Sequence, residues 1–224
     1  MDVFSEIEEA IAGLGPDAFA VHQGKLYHNP DLLQLTRTLD RLLIAPEKHS
    51  RKGGEIPFRA ALGKVFLGAE GASDSIALCN GGTNGLSVAL RPLLTPERRV
   101  VHVLTPFWMY LPGVITHAGG TLHEIPTLAD GRLIPEVQLL AALRSFLARE
   151  SGCVYVATPA NPVGNCLTPW FLAARTHICE EHDLHLVVDH AYYGFTEDAR
   201  ADGVIADLPP ALRHPRIVNV FTFS

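Results

Sequence analysis

From about residue 75 onward, short runs of apolar residues alternate with longer stretches in which apolar positions return with helical spacing. The runs at 75–79, 100–104, 121–126, 153–157, 184–189 and 217–221 are, apart from the more polar TLHEIP at 121–126, mostly apolar on consecutive positions rather than on alternate ones. That pattern predicts strands buried on both faces. Helices are predicted over 84–94, 108–117, 135–150 and 168–182. For the last of them Thr168-Pro169 supplies an N-cap and a proline at the first helical position. A β-then-α rhythm with such strands predicts an α/β fold, a mainly parallel sheet carrying helices on both faces. Ligands in these sheets sit beyond the carboxyl ends of the strands, so the residues after each run are the ones to read for chemistry.

Upstream, 2–12, 31–43 and 57–67 also show helical spacing, separated by the loop VHQGKLYHNP and the basic, glycine-rich EKHSRKGGEIP. Residues 1–48 are expected to form an N-terminal arm or part of a small domain, and 49–224 a large domain. No internal repeat or low-complexity tract interrupts them.

Composition narrows the function classes. With 224 residues, 47% of them hydrophobic and 19% charged, the chain can build one substantial core. A net charge of −6 with scattered basic residues offers no footprint for nucleic acid or an anionic membrane, and neither is expected as a partner. No apolar run approaches the ~18 residues of a membrane span. The start, MDVFSEIEEAIAGLG, is acidic and amphipathic rather than a basic signal peptide, so a cytoplasmic location is expected. Cys79, Cys153, Cys166 and Cys179 form no CxxC pair, and two lie inside strand-like runs, as suits reduced thiols acting as small hydrophobes. His177, Cys179, His182 and His185 invite a metal site. A helix would set the first and third of these about 140° apart, and His185 begins the next strand, so no metal is expected. There is no GxSxG elbow, and Asp189 and His190 on opposite strand faces cannot share a triad hydrogen bond. Neither GxGxxG nor GxxxxGK[ST] occurs.

The strand ends carry the candidate chemistry. The run LHLVVDHAYYGF ends a buried-looking strand on Asp189, and a buried carboxylate needs a partner. NGGTNG, 80–85, opens a helix after the first run, where glycine amides and the helix dipole favour an anion such as phosphate. By itself it is a weak signal and reads more readily as a tight turn. TPFWMY places Trp108 after the second run, as a ligand platform or as core. TPANPVG holds Asn161 between two prolines in a non-helical turn. Thr222, Phe223 and Ser224 follow the last run.

Taken in order, these features resemble the aspartate-aminotransferase fold family, the fold-type I pyridoxal 5′-phosphate (PLP) enzymes of aminotransferase class I/II, over roughly residues 24–224. The resemblance rests on NPxG at Asn161, DxAYxGF at Asp189 and [ST]xS at Thr222, with spacings of about 28 and about 33 residues. It implies that Gly81, Gly82 and Thr83 cradle the cofactor phosphate and that Trp108 stacks on the pyridine ring. It implies too that Asn161 and Tyr192 bond the phenolic oxygen, that Asp189 pairs with the protonated ring nitrogen, and that Thr222 and Ser224 belong to the cofactor site. The Schiff-base lysine is expected immediately after Ser224, so no catalytic residue is visible in 1–224. The small C-terminal domain is expected beyond it. For a chain that stops there, interruption at a PLP-modified lysine is the expectation, with truncation as the alternative.

Departures accompany the match. In a stretch resembling YxxxxGxxxLR, His49 stands five before Gly54 where a tyrosine reaches across a dimer interface to the partner's phosphate, and Phe58-Arg59 stand at LR. His49 could equally be an exposed loop residue one position out of register. His190 replaces a common glutamate and receives no catalytic role; Val163 replaces a frequent threonine. Gly24 matches a glycine near the substrate, with Lys25, Tyr27 and His28 beside it. The resemblance implies an aminotransferase that forms an external aldimine and removes the α-proton, acting on an amino acid and a 2-oxo acid as a homodimer. Elimination, decarboxylation, reaction with oxygen, and a non-catalytic lysine-less homologue are the alternatives.

Overall fold

The computed structural model describes residues 53–68, 72–147, 151–193 and 213–222, and the backbone alone at 200–201 and 204–205. The helices expected at 2–12 and 31–43, and the arm expected at 1–48, lie outside the described residues. In chain order the elements begin with α1 (Ile56–Leu67), α2 (Gly81–Leu90), β1 (Val100–Thr105), α3 (Leu111–His117) and β2 (Thr121–Pro126). A hairpin of β3 (Leu128–Ala129) and β4 (Arg132–Leu133) leads to α4 (Glu136–Phe146), β5 (Ser151–Ala157), α5 (Pro169–Glu181) and β6 (His185–His190). A two-stranded pair, β7 (Arg200–Ala201) and β8 (Val204–Ile205), precedes β9 (Ile217–Phe221).

The main sheet runs β2-β1-β5-β6-β9 and is parallel throughout. The chain moves outward from β1 to β2, then returns past β1 and proceeds the other way through β5, β6 and β9. Strand order therefore reverses between β1 and β5, where a crevice opens at the carboxyl ends.

Consecutive apolar residues are explained by two cores, one on each face. Cys153, Tyr155 and Val187 pack with Leu86 and Leu90 of α2 and with Leu111, Val114 and Ile115 of α3. Val154, Val156, Leu186 and Val188 pack on the other face with Phe66 of α1, Leu143 of α4, and Leu172 and Ile178 of α5. Each fully buried aliphatic side chain contributes about 1.5–3 kcal/mol, so the central strands buried on both faces hold the sheet together, while at the edge strand β2 only Ile125 is buried. At the start of α5, Thr168 accepts from the Phe171 amide at 3.1 Å, as its cap position predicts. Its own amide and hydroxyl donate to Glu136 at 3.0 and 2.5 Å, tying the starts of α4 and α5 together.

The observed elements differ from the sequence-based ones in several places. Residues 75–79 are not a strand: Ala72–Ser75 form a 3₁₀ turn, and Leu78 N donates to Gly53 O at 2.9 Å in place of a ladder. An extended segment becomes a strand only where a neighbour pairs with it, and among the described residues none does. Helix α2 starts at Gly81 rather than at 84, because Gly81 turns at φ +80° and the Asn84 side chain accepts from the Asn80 amide at 3.1 Å. Helix α3 starts at Leu111, with Pro112 in its first turn, which leaves Trp108 in the connection. The β3–β4 hairpin turns on Asp130-Gly131, both at positive φ, a two-residue signal that the apolar pattern alone overlooks. Strand β5 begins two residues early and carries a bulge, with Val100 opposite Ser151 but Val101 opposite Cys153. Gly152 is the extra residue.

At Gly152 a Cβ would lie 2.7 Å from Arg98 O and 2.6 Å from Leu94 Cδ2. Gly152→Ala should therefore destabilise the protein by about 1–3 kcal/mol, read as a lower denaturant midpoint with unchanged slope. An unchanged midpoint would show that the bulge accommodates a side chain.

Candidate active site

Asp189 is the next-to-last residue of β6 rather than its tip, which is His190. Strand alternation sends the two to opposite faces. Asp189 has the parity of Val187 and looks toward the α2/α3 face, while His190 sits under α1, stacked on Phe221 at 4.6 Å and edge-on to Tyr193. The Asp189 carboxylate accepts from Tyr155 Oη at 2.8 Å through one oxygen and from the Ala191 amide at 3.0 Å through the other. Desolvation raises its pKa, opposed by these two bonds. Among the described residues no lysine, arginine or histidine pairs with it. Both of its donors are neutral, and both favour the ionised form that burial opposes.

The glycine turn reaches the same end and the same face. Val220 of β9 is the register partner of Asp189, and a Cβ on Gly85 would lie 3.0 Å from Val220 Cγ1. One turn earlier, a Cβ on Gly82 would lie 3.4 Å from Cβ of Thr222, so α2 starts directly against the residue that follows β9. Larger side chains there would push the helix off the sheet. No side chain caps this start, Thr83 is exposed, and a Cβ on Gly81 would meet nothing within 4 Å. Trp108 is half-buried after β1, packed against the α2/α3 core and edge-on to Tyr110 at 5.4 Å.

Asn161 and Tyr192 come together: Asn161 Nδ2 donates to Tyr192 Oη at 3.2 Å. Burial raises the Tyr192 pKa, the Asn161 bond opposes this, and the Asp189 charge adds to it, so the phenol stays protonated. The crevice between β1 and β5 is lined by Thr105, Phe107, Thr127, Tyr155, Asn161 and Val163, among others. Asp189, Trp108 and the glycine turn do not line that crevice: Asp189 and the glycine turn meet through Val220 of β9, while Trp108 stays after β1 against the α2/α3 core. Tyr155 stands between the two groups and is the residue that sequence reasoning missed. Its signal was a phenol inside the apolar strand CVYVA, which needs a hydrogen-bond partner when buried. His49, Gly24 and Ser224 lie outside the described residues.

The other histidine cluster takes a different form. His177 pairs with Glu180 and Glu181 at 3.8 and 3.4 Å, and Cys179 turns into the core. Among the described residues no three metal-ligating side chains converge. Arg59, in α1, donates to Ser73 O and Ile76 O at 2.9 and 3.2 Å, fixing the approach to the glycine turn.

The chain is similar to known proteins in sequence and in fold. The family model described as aminotransferase class I and II matches residues 53–224. The chain belongs to that family. It is 28% identical over 148 residues to the aspartate/prephenate aminotransferase of Thermus thermophilus, covering 65% of this chain and 37% of that protein. It is 30% identical over 152 residues to histidinol-phosphate aminotransferase 1 of Nitrosococcus oceani, covering 68% of this chain and 38% of that one. Among solved structures, a double mutant of Thermus thermophilus aspartate aminotransferase superposes with a TM-score of 0.76 at 21% identity, over 99% of this chain and 57% of that chain. That likeness bears on the fold, and it agrees with the parallel sheet and its two helical layers. The chain thus spans less than two thirds of the length of these relatives.

His190 contributes to the response to acid. Its ring is 2% exposed, and burial pushes its pKa down to about 4 from 6.5, against the opposing pull of Asn219 and the Thr158 backbone. Above pH 6.5 the ring is neutral in both the folded and the unfolded chain, and stability is at its full value. As pH falls toward about 4 the unfolded chain takes up a proton that the folded one refuses, a loss approaching about 3 kcal/mol. Denaturant midpoints measured between pH 7 and 4 should fall along this limb and flatten in His190→Gln; an identical limb in the variant would place the acid sensitivity elsewhere.

Proposed function

We propose that the intact protein is a PLP-dependent aminotransferase that moves an amino group between an amino acid and a 2-oxo acid. The observation that carries this reading is the half-buried Asp189 carboxylate, without a cationic partner among the described residues, at the same sheet end as an uncapped glycine turn and an indole. The donor set fits PLP. A protonated ring nitrogen would give Asp189 the cation it lacks and favour its ionised form. Gly81, Gly82 and Thr83, with Thr222 against them, would take the phosphate at the start of α2, where amides and the helix dipole favour an anion. Trp108 would cover one ring face, and the Asn161–Tyr192 pair would receive the phenolic oxygen.

When bound, PLP supplies an electron-poor ring that accepts the electron pair left on the amino acid's α-carbon. Asp189 keeps a proton on the ring nitrogen, and the neutral phenol of Tyr192 donates to the oxygen without changing its charge. Trp108 holds the ring flat and excludes water from one side. We place the lysine that carries the α-proton immediately after Ser224, His49 near a partner subunit's phosphate and Gly24 near the substrate, as the family resemblance implies. Residues 1–48 as an arm or part of a small domain, 49–224 as the large domain, a homodimer and a cytoplasmic location belong to the same reading. The family membership and the amino-transferring relatives support it; their names span several substrates, so the amino donor is left to a spectral screen of the bound cofactor.

The intact protein reconstituted with PLP should show a cofactor absorption band and transfer amino groups. Asp189→Ala should lose activity by on the order of 10²-fold or more while its circular dichroism is unchanged. A variant that transaminates as fast as the parent would sink the assignment of the ring-nitrogen partner.

A further inference from the structure

Tyr155 lies at the middle of β5, 2% exposed, with its ring in the α2/α3 core. In the β5–β6 register it stands opposite Val187, while Ala157 stands opposite Asp189. Its hydroxyl therefore reaches Asp189 on the diagonal, two positions along the neighbouring strand, and donates at 2.8 Å. The Ala191 amide holds the second oxygen, so each carboxylate oxygen has one donor and retains a lone pair for a further one. A lysine or arginine in place of Tyr155 would neutralise the carboxylate; a phenol binds it and leaves the charge intact. Burial and the nearby carboxylate both push the Tyr155 pKa well above 10, which makes the phenol a permanent donor at any working pH. Its ring also forms part of the wall of the crevice between β1 and β5.

We propose that Tyr155 is a positioning residue for the cofactor's ring nitrogen: its hydroxyl fixes the Asp189 carboxylate in one orientation and keeps it anionic, so that it grips a protonated heterocycle. This rests on the PLP reading above and deepens it. No residue of the sequence motifs performs this task, because the donor comes from the neighbouring strand rather than from the segment that carries the acid.

The test is binding to the apo form of the intact protein, with PLP compared against its 1-deaza analogue, in which a C–H replaces the ring nitrogen. Tyr155→Phe should weaken PLP about tenfold and leave the analogue within about twofold, since the lost donor acts only through the nitrogen contact. In an Asp189→Asn background the same substitution should cost no further PLP affinity. The pH at which PLP binding fails on the acid side should rise in Tyr155→Phe, because Asp189 loses a bond that lowers its pKa. Should Tyr155→Phe melt at a much lower temperature, Tyr155→4-fluorophenylalanine fills the hydroxyl's space without a donor and gives the same comparison. Equal weakening of both ligands, or none of PLP, overturns the positioning role while leaving the PLP reading intact. A parent protein that binds neither ligand, or binds both alike, overturns the ring-nitrogen assignment itself and this inference with it.

Discussion

A carboxylate partly withdrawn from water has to be compensated locally, and the surroundings of Asp189 are organised by that requirement. The parallel sheet creates the problem: strands covered on both faces leave only their carboxyl ends available for polar groups, and β6 puts an acid there. Compensation comes from a phenol on β5 and an amide just past the strand, neither of which carries charge. Two neutral bonds orient the anion without cancelling it. The unspent charge then faces the α2/α3 layer, where α2 begins in an uncapped glycine turn pressed against Thr222. A ligand that bears a cation at one end and an anion at the other would satisfy both ends together.

How much of this was legible in the sequence depended on whether the deciding contact was local. Alternation along a strand is local, so the separation of Asp189 from His190 followed from their adjacency, and the packing of His190 on Phe221 agrees with it. The Thr168 cap and the strands at 121–126 and 217–221 were legible for the same reason. Pairing between strands is not local. Residues 75–79 have the composition of a strand but lack a ladder partner among the described residues, and nothing in IALC records that absence. The bulge at Gly152 depends on Arg98 O, a backbone atom more than fifty positions upstream. Tyr155 escaped attention because an apolar run containing one phenol reads as core until the register with β6 shows which group the hydroxyl meets.

The motif residues and the register residues also divide the work. Asn161 and Tyr192 follow different strands yet bond each other, so a hydrogen bond at the sheet end joins the two loops that carry them. Tyr155 and Val220 act through the strands, placing Asp189 sideways against its neighbours and vertically against α2. Loops supply the groups that a ligand would touch; strands fix where those groups stand. That division suits chemistry in which a displacement of about 1 Å can cost two orders of magnitude in rate.

Burial also decides the protonation states around the acid, and it acts on each neighbour in the direction that leaves it neutral. It raises Tyr155 and Tyr192, which stay protonated, and it lowers His190 to about 4, which stays deprotonated through the neutral range. A basic ring immediately behind a partly buried acid would otherwise be a competing cation. Here its opposite orientation and its depressed pKa remove it from the contest, while its stacking on Phe221 braces the strand end mechanically. Among the described residues, the withdrawal of water from a closely packed sheet end thus favours the neutral forms of Tyr155, Tyr192 and His190; it pushes Asp189 the same way, and there the Tyr155 and Ala191 hydrogen bonds oppose it and favour the anion to which a cation would be drawn.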